Sequence, residues 1–369
     1  MARLGVRQLV RGADIGILTI TIVLVLFGLA ALYSFSLNGA GDHSLLTRQA
    51  LFAAAGLAIG FIAMRFDYRS LAAVHWILYG LALVVLLAVL FFGETVRGTT
   101  GWFSFGFIQI QPVELVKVVM AVVLAKFLTD RADRIGEWQT IALSGLLMLV
   151  PAGLVMAQPD LGSAAVLVGM WIGVMIVLPV PRRKLAMIFV ALLGVAAIAW
   201  LFFLQPYQHD RILNFLTPTR DPLGTGYNVR QAVTAIGSGG WFGRGLGLGT
   251  QSQLNFLPER QTDFIFATVG EELGFVGAAS LLTLFGLFFW RLGRLVSQAR
   301  DSFGLLITVG LTTMFFLHVF INIGMNLGIF PVTGLPLPFL SYGGSSLLAS
   351  LLAVGLLEGI IVRQHTSPL

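Results

Sequence analysis

The 369-residue sequence predicts an all-α fold: a polytopic integral membrane protein of about ten transmembrane helices with one long extracytoplasmic loop. Three observations predict it. Hydrophobic residues make up 57% of the chain and charged ones only 11%, with a mean hydropathy of +0.90, whereas soluble domains carry about 25% charge. Apolar runs of about 20 residues, the length that crosses a bilayer as a helix, recur from end to end. Nearly all the charge falls between those runs.

The first expected span, 13–36, is too long for the core of a signal peptide and lacks a small-residue cleavage site, so it reads as a retained helix. Spans at 49–65 and 70–93 follow, separated by Arg65 and Arg69. Those at 110–129 and 139–157 flank Arg131 and Arg134, and those at 161–179 and 184–204 flank Arg182 and Arg183. The last three are expected over 263–290, 303–328 and 343–363. All links are short except Gln205 to Thr262, and the whole of 1–369 reads as one transmembrane domain. With the N-terminus in the cytoplasm, fifteen basic residues fall on inner segments and seven (Arg48, Arg97, Arg211, Arg220, Arg230, Arg244, Arg260) on outer ones, leaving Lys117 inside a span. The positive-inside rule therefore places both termini in the cytoplasm and the 205–262 loop outside.

Composition also excludes. Without cysteine there is neither disulfide nor thiolate metal site. His43, His75, His209, His318 and His365 are scattered and show no metal-ligand spacing. The net charge of +6 is divided among separate loops, which argues against nucleic acid.

The long loop holds Tyr207, Arg211, a turn at Asp221–Gly224, Tyr227, Arg230, Gln231 and a glycine-rich run from Gly237 to Gly249. That run matches neither nucleotide-binding fingerprint. It reads either as a flexible connector, which glycine permits, or as a lid or re-entrant segment lining a cavity, which the interspersed Arg, Gln and Tyr favour.

At the end of the loop, in FLPERQTDFIFATVGEELG, Asp263 stands at the mouth of the next helix. An acid so placed is costly and marks a candidate functional residue. Glu271 and Glu272 lie about 12 Å deeper, Glu271 roughly 80° around the helix from Asp263 and Glu272 opposite it. Glu114 and Lys117 share a helical face as i and i+3, either as an ion pair locking two helices or as a substrate contact. Asp160 stands where a helix begins, either as a cap, which alone could explain it, or as a substrate contact. Glu358 is expected to snorkel to the cytoplasmic surface. PVTGLPLPFLSYGGSS, with Ser341 and Tyr342, is either a tight outer turn or broken backbone lining a cavity.

The motifs QPVELVK, QPDLGSA, DPLGTGYNVRQAVTAIGSGG, GTQSQLNFLPERQTDFIFATVGEELG and FINIGMNLGIFPVTGLPLPFLSYGGSS, spread over 111–346, resemble the SEDS family (shape, elongation, division and sporulation) of bacterial membrane proteins. PVTGLPLPF resembles the RodA branch more than the FtsW branch. Three departures stand out: Gly101 precedes Trp102 where the family commonly has arginine, Val113 replaces a serine, and Gln261 replaces a histidine.

The resemblance implies a peptidoglycan glycosyltransferase that polymerises lipid II at the outer face of the bacterial cytoplasmic (inner) membrane during cell elongation. It implies a class B penicillin-binding protein and the elongation machinery as partners, and an essential aspartate at Asp263. Forming a β-linkage from an α-linked lipid pyrophosphate inverts the anomeric carbon and needs one general base, unlike the carboxylate pair of glycosidases. The leaving pyrophosphate needs cations. The expected substrate-binding set is Arg48, Glu114, Lys117, Asp160, Arg211, Gln231, Arg260 and Ser341. An apolar groove between helices would take the lipid tails. No cofactor follows from the sequence; a divalent cation, Mg²⁺ or Mn²⁺, is compatible with Asp263 as a base, a metal ligand or both. The alternatives are a lipid II flippase, which would keep moving lipid without Asp263, and a non-catalytic scaffold, indifferent to all these residues.

Overall fold

The computed structural model describes residues 12–38, 43–96, 98–106, 108–202, 204, 206–216, 225–254 and 256–366. Arg3, Arg7, Arg11, Arg97, Arg220 and the turn at Asp221–Gly224 lie outside them. In chain order the helices are α1 (Ile15–Asn38), α2 (Ser44–Arg65), α3 (Leu71–Phe92), α4 (Pro112–Thr129), α5 (Trp138–Ala157), α6 (Leu161–Val177) and α7 (Arg182–Phe202). Then come α8 (Pro206–Leu216), α9 (Thr225–Ser238), α10 (Thr250–Gln253), α11 (Ile265–Gln298), α12 (Ser302–Asn326) and α13 (Gly344–Thr366).

Every expected span corresponds to one of these helices. Eight are long and apolar enough to cross a membrane. Of the other two, α6 has 17 residues and α4 carries Glu114, Lys117 and Lys126 among its 18. The largest boundary difference is at α11, which runs eight residues past the expected end. Arg291 and Arg294 mark a loop by hydropathy but are good helix formers, and both lie over the Trp290 ring.

The bundle closes around α4, which packs against α3, α5, α6, α12 and α13 and is buried nearly all round. A charged pair on this helix therefore need not meet lipid. The contact between α2 and α13 is made by small residues. A Cβ on Gly355 would lie 2.1 Å from the Gly60 carbonyl oxygen, and one on Gly60 would lie 2.7 Å from that of Leu351. Such backbone contact needs glycine. Glu358, between Gly355 and Gly359, does not snorkel: it is fully buried, because the start of α1 meets it and Asp14 donates its N–H to Oε2 at 2.9 Å.

Hydropathy alone did not reveal the antiparallel ribbon between α3 and α4. It consists of β1 (Glu94–Val96), β2 (Thr99–Phe105) and β3 (Ile108–Ile110), with Val96 opposite Thr99 and Ser104 opposite Gln109. Gly98 (φ 83°) and Gly106 (φ 62°) turn the chain at the two ends of β2.

Within the 205–262 connection, the described residues form the helices α8, α9 and α10. Its glycine run packs back onto α11 at a break in that helix, where Gly274 has φ 66° and ψ −161°, about 13 Å along from its start. There the Glu271 and Glu272 carbonyls accept the N–H groups of Arg244 and Gly245, both at 3.0 Å. Phe275 and Val276 in turn donate to the carbonyls of Gly240 (2.8 Å) and Trp241 (3.1 Å). The Glu271 side chain accepts the N–H groups of Gln251 and Ser252, each at 2.8 Å, and Glu272 accepts from Gln253 Nε2 at 2.9 Å. The run is thus fastened at both backbone and side chain. Its glycines permit close approach: a Cβ on Gly243 would stand 2.1 Å from the Glu272 oxygen.

Candidate active site

The turn before α11 is tight. Glu259 has φ 55°, and its carbonyl accepts from the N–H groups of Thr262, Asp263 and Phe264 at 3.1–3.2 Å. Phe264 is buried with Leu257, Ala232, Ala235 and Ala267, which ties the turn to α9. Asp263, between the buried Phe264 and the tethered Thr262, is left half-exposed.

Two asparagines on α12 hold its backbone. Asn322 Nδ2 donates to the Asp263 carbonyl at 3.0 Å and to the Leu335 carbonyl at 2.8 Å. Asn326 Nδ2 reaches the Asp263 carbonyl at 2.9 Å, and its Oδ1 accepts the Ala267 N–H at 3.0 Å. Asn326 therefore caps α11 from a different helix, satisfying a first-turn N–H that α11 cannot satisfy itself. The segment after α12 folds over the same turn. Ser341 Oγ donates to the Thr262 carbonyl at 2.5 Å and accepts the Leu337 N–H at 2.8 Å. Tyr342 donates its N–H to the Gln261 carbonyl at 2.8 Å. Gln49 on α2 closes the clamp, donating to the Ser341 carbonyl at 3.0 Å and accepting the Gly343 N–H at 3.2 Å. Gly334 (φ 77°) runs bare beside the carboxylate: a Cβ there would be 3.9 Å from Asp263 Oδ2.

One turn before Asn322 on α12, His318 continues the polar stripe. Lys117 Nζ, fully buried, lies 2.7 Å from Glu114 Oε1 and 2.8 Å from His318 Nε2. Lysine only donates, so Nε2 accepts and Nδ1 carries the proton, facing the Pro336 carbonyl at 3.3 Å. The charged pair on α4 is thereby coupled to the 335–337 segment that Asn322 also holds. Asp160 caps α6, its Oδ1 accepting the Ser163 N–H at 2.9 Å, and its Oδ2 accepts from Gln111 Nε2 at 3.3 Å. Burial pushes its carboxyl up from the ordinary value, and the hydrogen bonds from Ser163 pull it partly back.

Of the residues expected from sequence, Ser341 is joined to the Asp263 turn, and Glu114 and Lys117 are joined to each other. Arg260 stands over the Phe35 ring at 4.7 Å; its Nη1 is buried without a hydrogen-bond partner and burial lowers its pKa. Arg211 and Gln231 lie half-exposed on α8 and α9, and Arg48 is exposed on α2. Arg244, by contrast, ties its own loop, bonding the Ser238 carbonyl and Thr250 Oγ1. Sequence reasoning missed Gln49, His318, Asn322 and Asn326. For three of them a signal was present: polar residues at four-residue steps on one face of an otherwise apolar helix.

The model of the FtsW/RodA/SpoVE family, described as cell cycle proteins, matches residues 14–366. The chain belongs to this family. It is 39% identical to stage V sporulation protein E of Bacillus subtilis, over 94% of this chain and 96% of that protein. It is 36% identical to peptidoglycan glycosyltransferase MrdB of Escherichia coli K12, over 92% of this chain and 91% of that one. Among solved structures, a chain of a peptidoglycan synthase complex, described for its structural coordination of polymerization and crosslinking, superposes with a TM-score of 0.83 at 34% identity, covering 96% of this chain and 99% of that one. The crystal structure of Thermus thermophilus rod shape determining protein RodA gives 0.73 at 33% identity, covering 96% and 98%. Members with different family names thus stand at similar identity, and identity alone does not choose between branches.

Proposed function

We propose that this family member joins lipid II units into glycan strands by an inverting mechanism, with Asp263 as the general base. The enzyme is a peptidoglycan glycosyltransferase. The observation that carries the finer reading is that Asp263, half-buried at the mouth of α11, sits on a backbone fixed by Asn322, Asn326 and Ser341. A group that must meet a hydroxyl in line with a breaking bond needs such fixed placement. The sugar hydroxyl of the acceptor attacks the anomeric carbon of the donor and gives its proton to an Asp263 oxygen. The anomeric C–O bond breaks on the opposite face, and undecaprenyl pyrophosphate leaves with the electron pair. Arg48, Arg211 and Arg260 are the proposed cations for the pyrophosphates. Gln231 is proposed to contact the headgroup, while Glu114, Lys117 and Asp160 support the site from below.

Among the described residues no three acidic or histidine side chains converge on one point. A cation at Asp263 would draw most of its ligands from substrate phosphates and water, as Mg²⁺ commonly does. The motif Pro331–Phe339 supports assignment to the elongation branch, and the synthase-complex neighbour supports a class B penicillin-binding protein as partner. The charge distribution supports an extracytoplasmic Asp263 with both termini in the cytoplasm.

The deciding experiment is polymerisation of lipid II by the purified protein, with and without partner, for wild type and Asp263→Asn. Loss of polymer in the variant supports the reading. Undiminished polymer removes Asp263 as base, and lipid movement without polymer in the wild type would favour transport.

A further inference from the structure

Away from the Asp263 site, α1, α2 and α13 enclose an apolar groove of about 240 Å³. Its walls include Leu18, Ile22, Leu57, Phe61, Met64 and Leu351. Ile22, Leu57 and Phe61 are also exposed on the outside of the bundle, so the groove opens toward the space that lipid chains fill. Two polar side chains line it, and both are buried: Glu358 at 0% exposure and Thr21 at 2%. Glu358 Oε1 and Thr21 Oγ1 have no hydrogen-bond partner. Glu358 uses only Oε2, on the Asp14 N–H. The guanidinium of Arg291 is engaged by the Asp14 carboxylate at 2.9 Å, so among the described residues Glu358 has no counter-ion.

A buried carboxylate persists as an anion only when paired and hydrogen-bonded, and otherwise takes up a proton. The free acceptor on Glu358 calls for a cationic donor, and a phosphate or second carboxylate would be repelled there. Thr21 lies seven residues further along α1 than Asp14, about 10 Å deeper, and offers a hydroxyl donor amid apolar walls.

We propose that this groove binds a membrane lipid whose headgroup carries a primary ammonium. The ammonium donates to Glu358, Thr21 donates to an ester carbonyl, and an acyl chain lies along the apolar walls. The site is separate from the polymerisation site and independent of its chemistry.

The test is native mass spectrometry of the full-length protein in detergent, with phosphatidylethanolamine, phosphatidylcholine and phosphatidylglycerol of identical chains. Phosphatidylcholine keeps the positive charge but has no N–H to donate. Phosphatidylethanolamine should be retained roughly tenfold more tightly than either of the others, the scale of one charge-assisted hydrogen bond. Glu358→Gln, which keeps the acceptor for Asp14, should bring it down to the level of phosphatidylcholine. Thr21→Val should weaken all three lipids to the same degree. Equal retention of the three lipids by wild type, preference for phosphatidylglycerol, or an undiminished preference in Glu358→Gln would each overturn the proposal. The wild-type comparison decides it even if a variant fails to fold.

Discussion

Asn326 donates from Nδ2 to the main-chain carbonyl of Asp263 at 2.9 Å, while its Oδ1 accepts the Ala267 N–H at 3.0 Å. One side chain on α12 thus sets both the first turn of α11 and Asp263, two residues before that helix. Position and helix capping are coupled, so Asn326→Ala should affect both. It leaves a buried N–H and part of a carbonyl unsatisfied, at a cost of about 1–3 kcal/mol in stability. Turnover should fall more than lipid II affinity does, because the carboxylate loses its placement. Unfolding titrations in detergent and separate measurement of kcat and KM check this; unchanged kcat would refute the positioning role.

Asp263→Asn keeps size and backbone contacts but removes the base. Strand synthesis should drop by about 10²–10⁴-fold, with thermal unfolding and partner binding unaltered. Gel analysis of glycan strands at matched protein concentration reads the outcome.

Lys117 is bound to both Glu114 and His318 in the bundle interior. Removing the lysine strands a buried carboxylate, so Lys117→Met should cost about 3–5 kcal/mol. Pairing it with Glu114→Gln should cost less than the two single changes added together. His318→Gln, whose amide oxygen can still accept from Lys117, should be milder than His318→Leu. A double-mutant cycle on unfolding free energies tests the set. Strict additivity would mean that the pair is not coupled. A double mutant of restored stability but lost activity would give Lys117 a role toward substrate.

Two glycines of α11 should behave oppositely. At Gly274 the backbone has φ 66°, and a Cβ would fall 2.2 Å from the Gly243 nitrogen. Gly274→Ala should therefore destabilise by roughly 3 kcal/mol or more. Nothing lies within 4 Å of a Cβ on Gly286, so Gly286→Ala should stabilise by about 0.5–1 kcal/mol through helix propensity. Thermal unfolding of both variants in one detergent makes the comparison.

The glycine run offers a further measurement. Flexibility of Gly237–Gly249 would make it a gate, but Arg244 and Gly245 donate into the break of α11. Their amides should exchange slowly in the free protein. Fast exchange that slows only when partner or lipid II is added would restore the gating role.

Sequence by itself determined the spans, since length and hydropathy are local properties and lipid demands a helix wherever the chain crosses. It also marked Asp263, Glu114 and Lys117, because charge in an apolar setting stands out without knowledge of neighbours. It did not reveal the end of α11, where helix propensity prevails over hydropathy, or the burial of Glu358, where another helix arrives to meet the carboxylate. Only the tertiary structure decided which groups hold Asp263. Gln49, Asn322, Asn326 and Ser341 come from α2, α12 and the segment before α13; the bonds of the last three to residues 262–267 span 59 to 79 positions, and those of Gln49 to residues 341–343 span 292 to 294. Such contacts arise when packed helices bring distant backbone carbonyls within hydrogen-bond reach, and a pattern of adjacent residues carries no record of that distance.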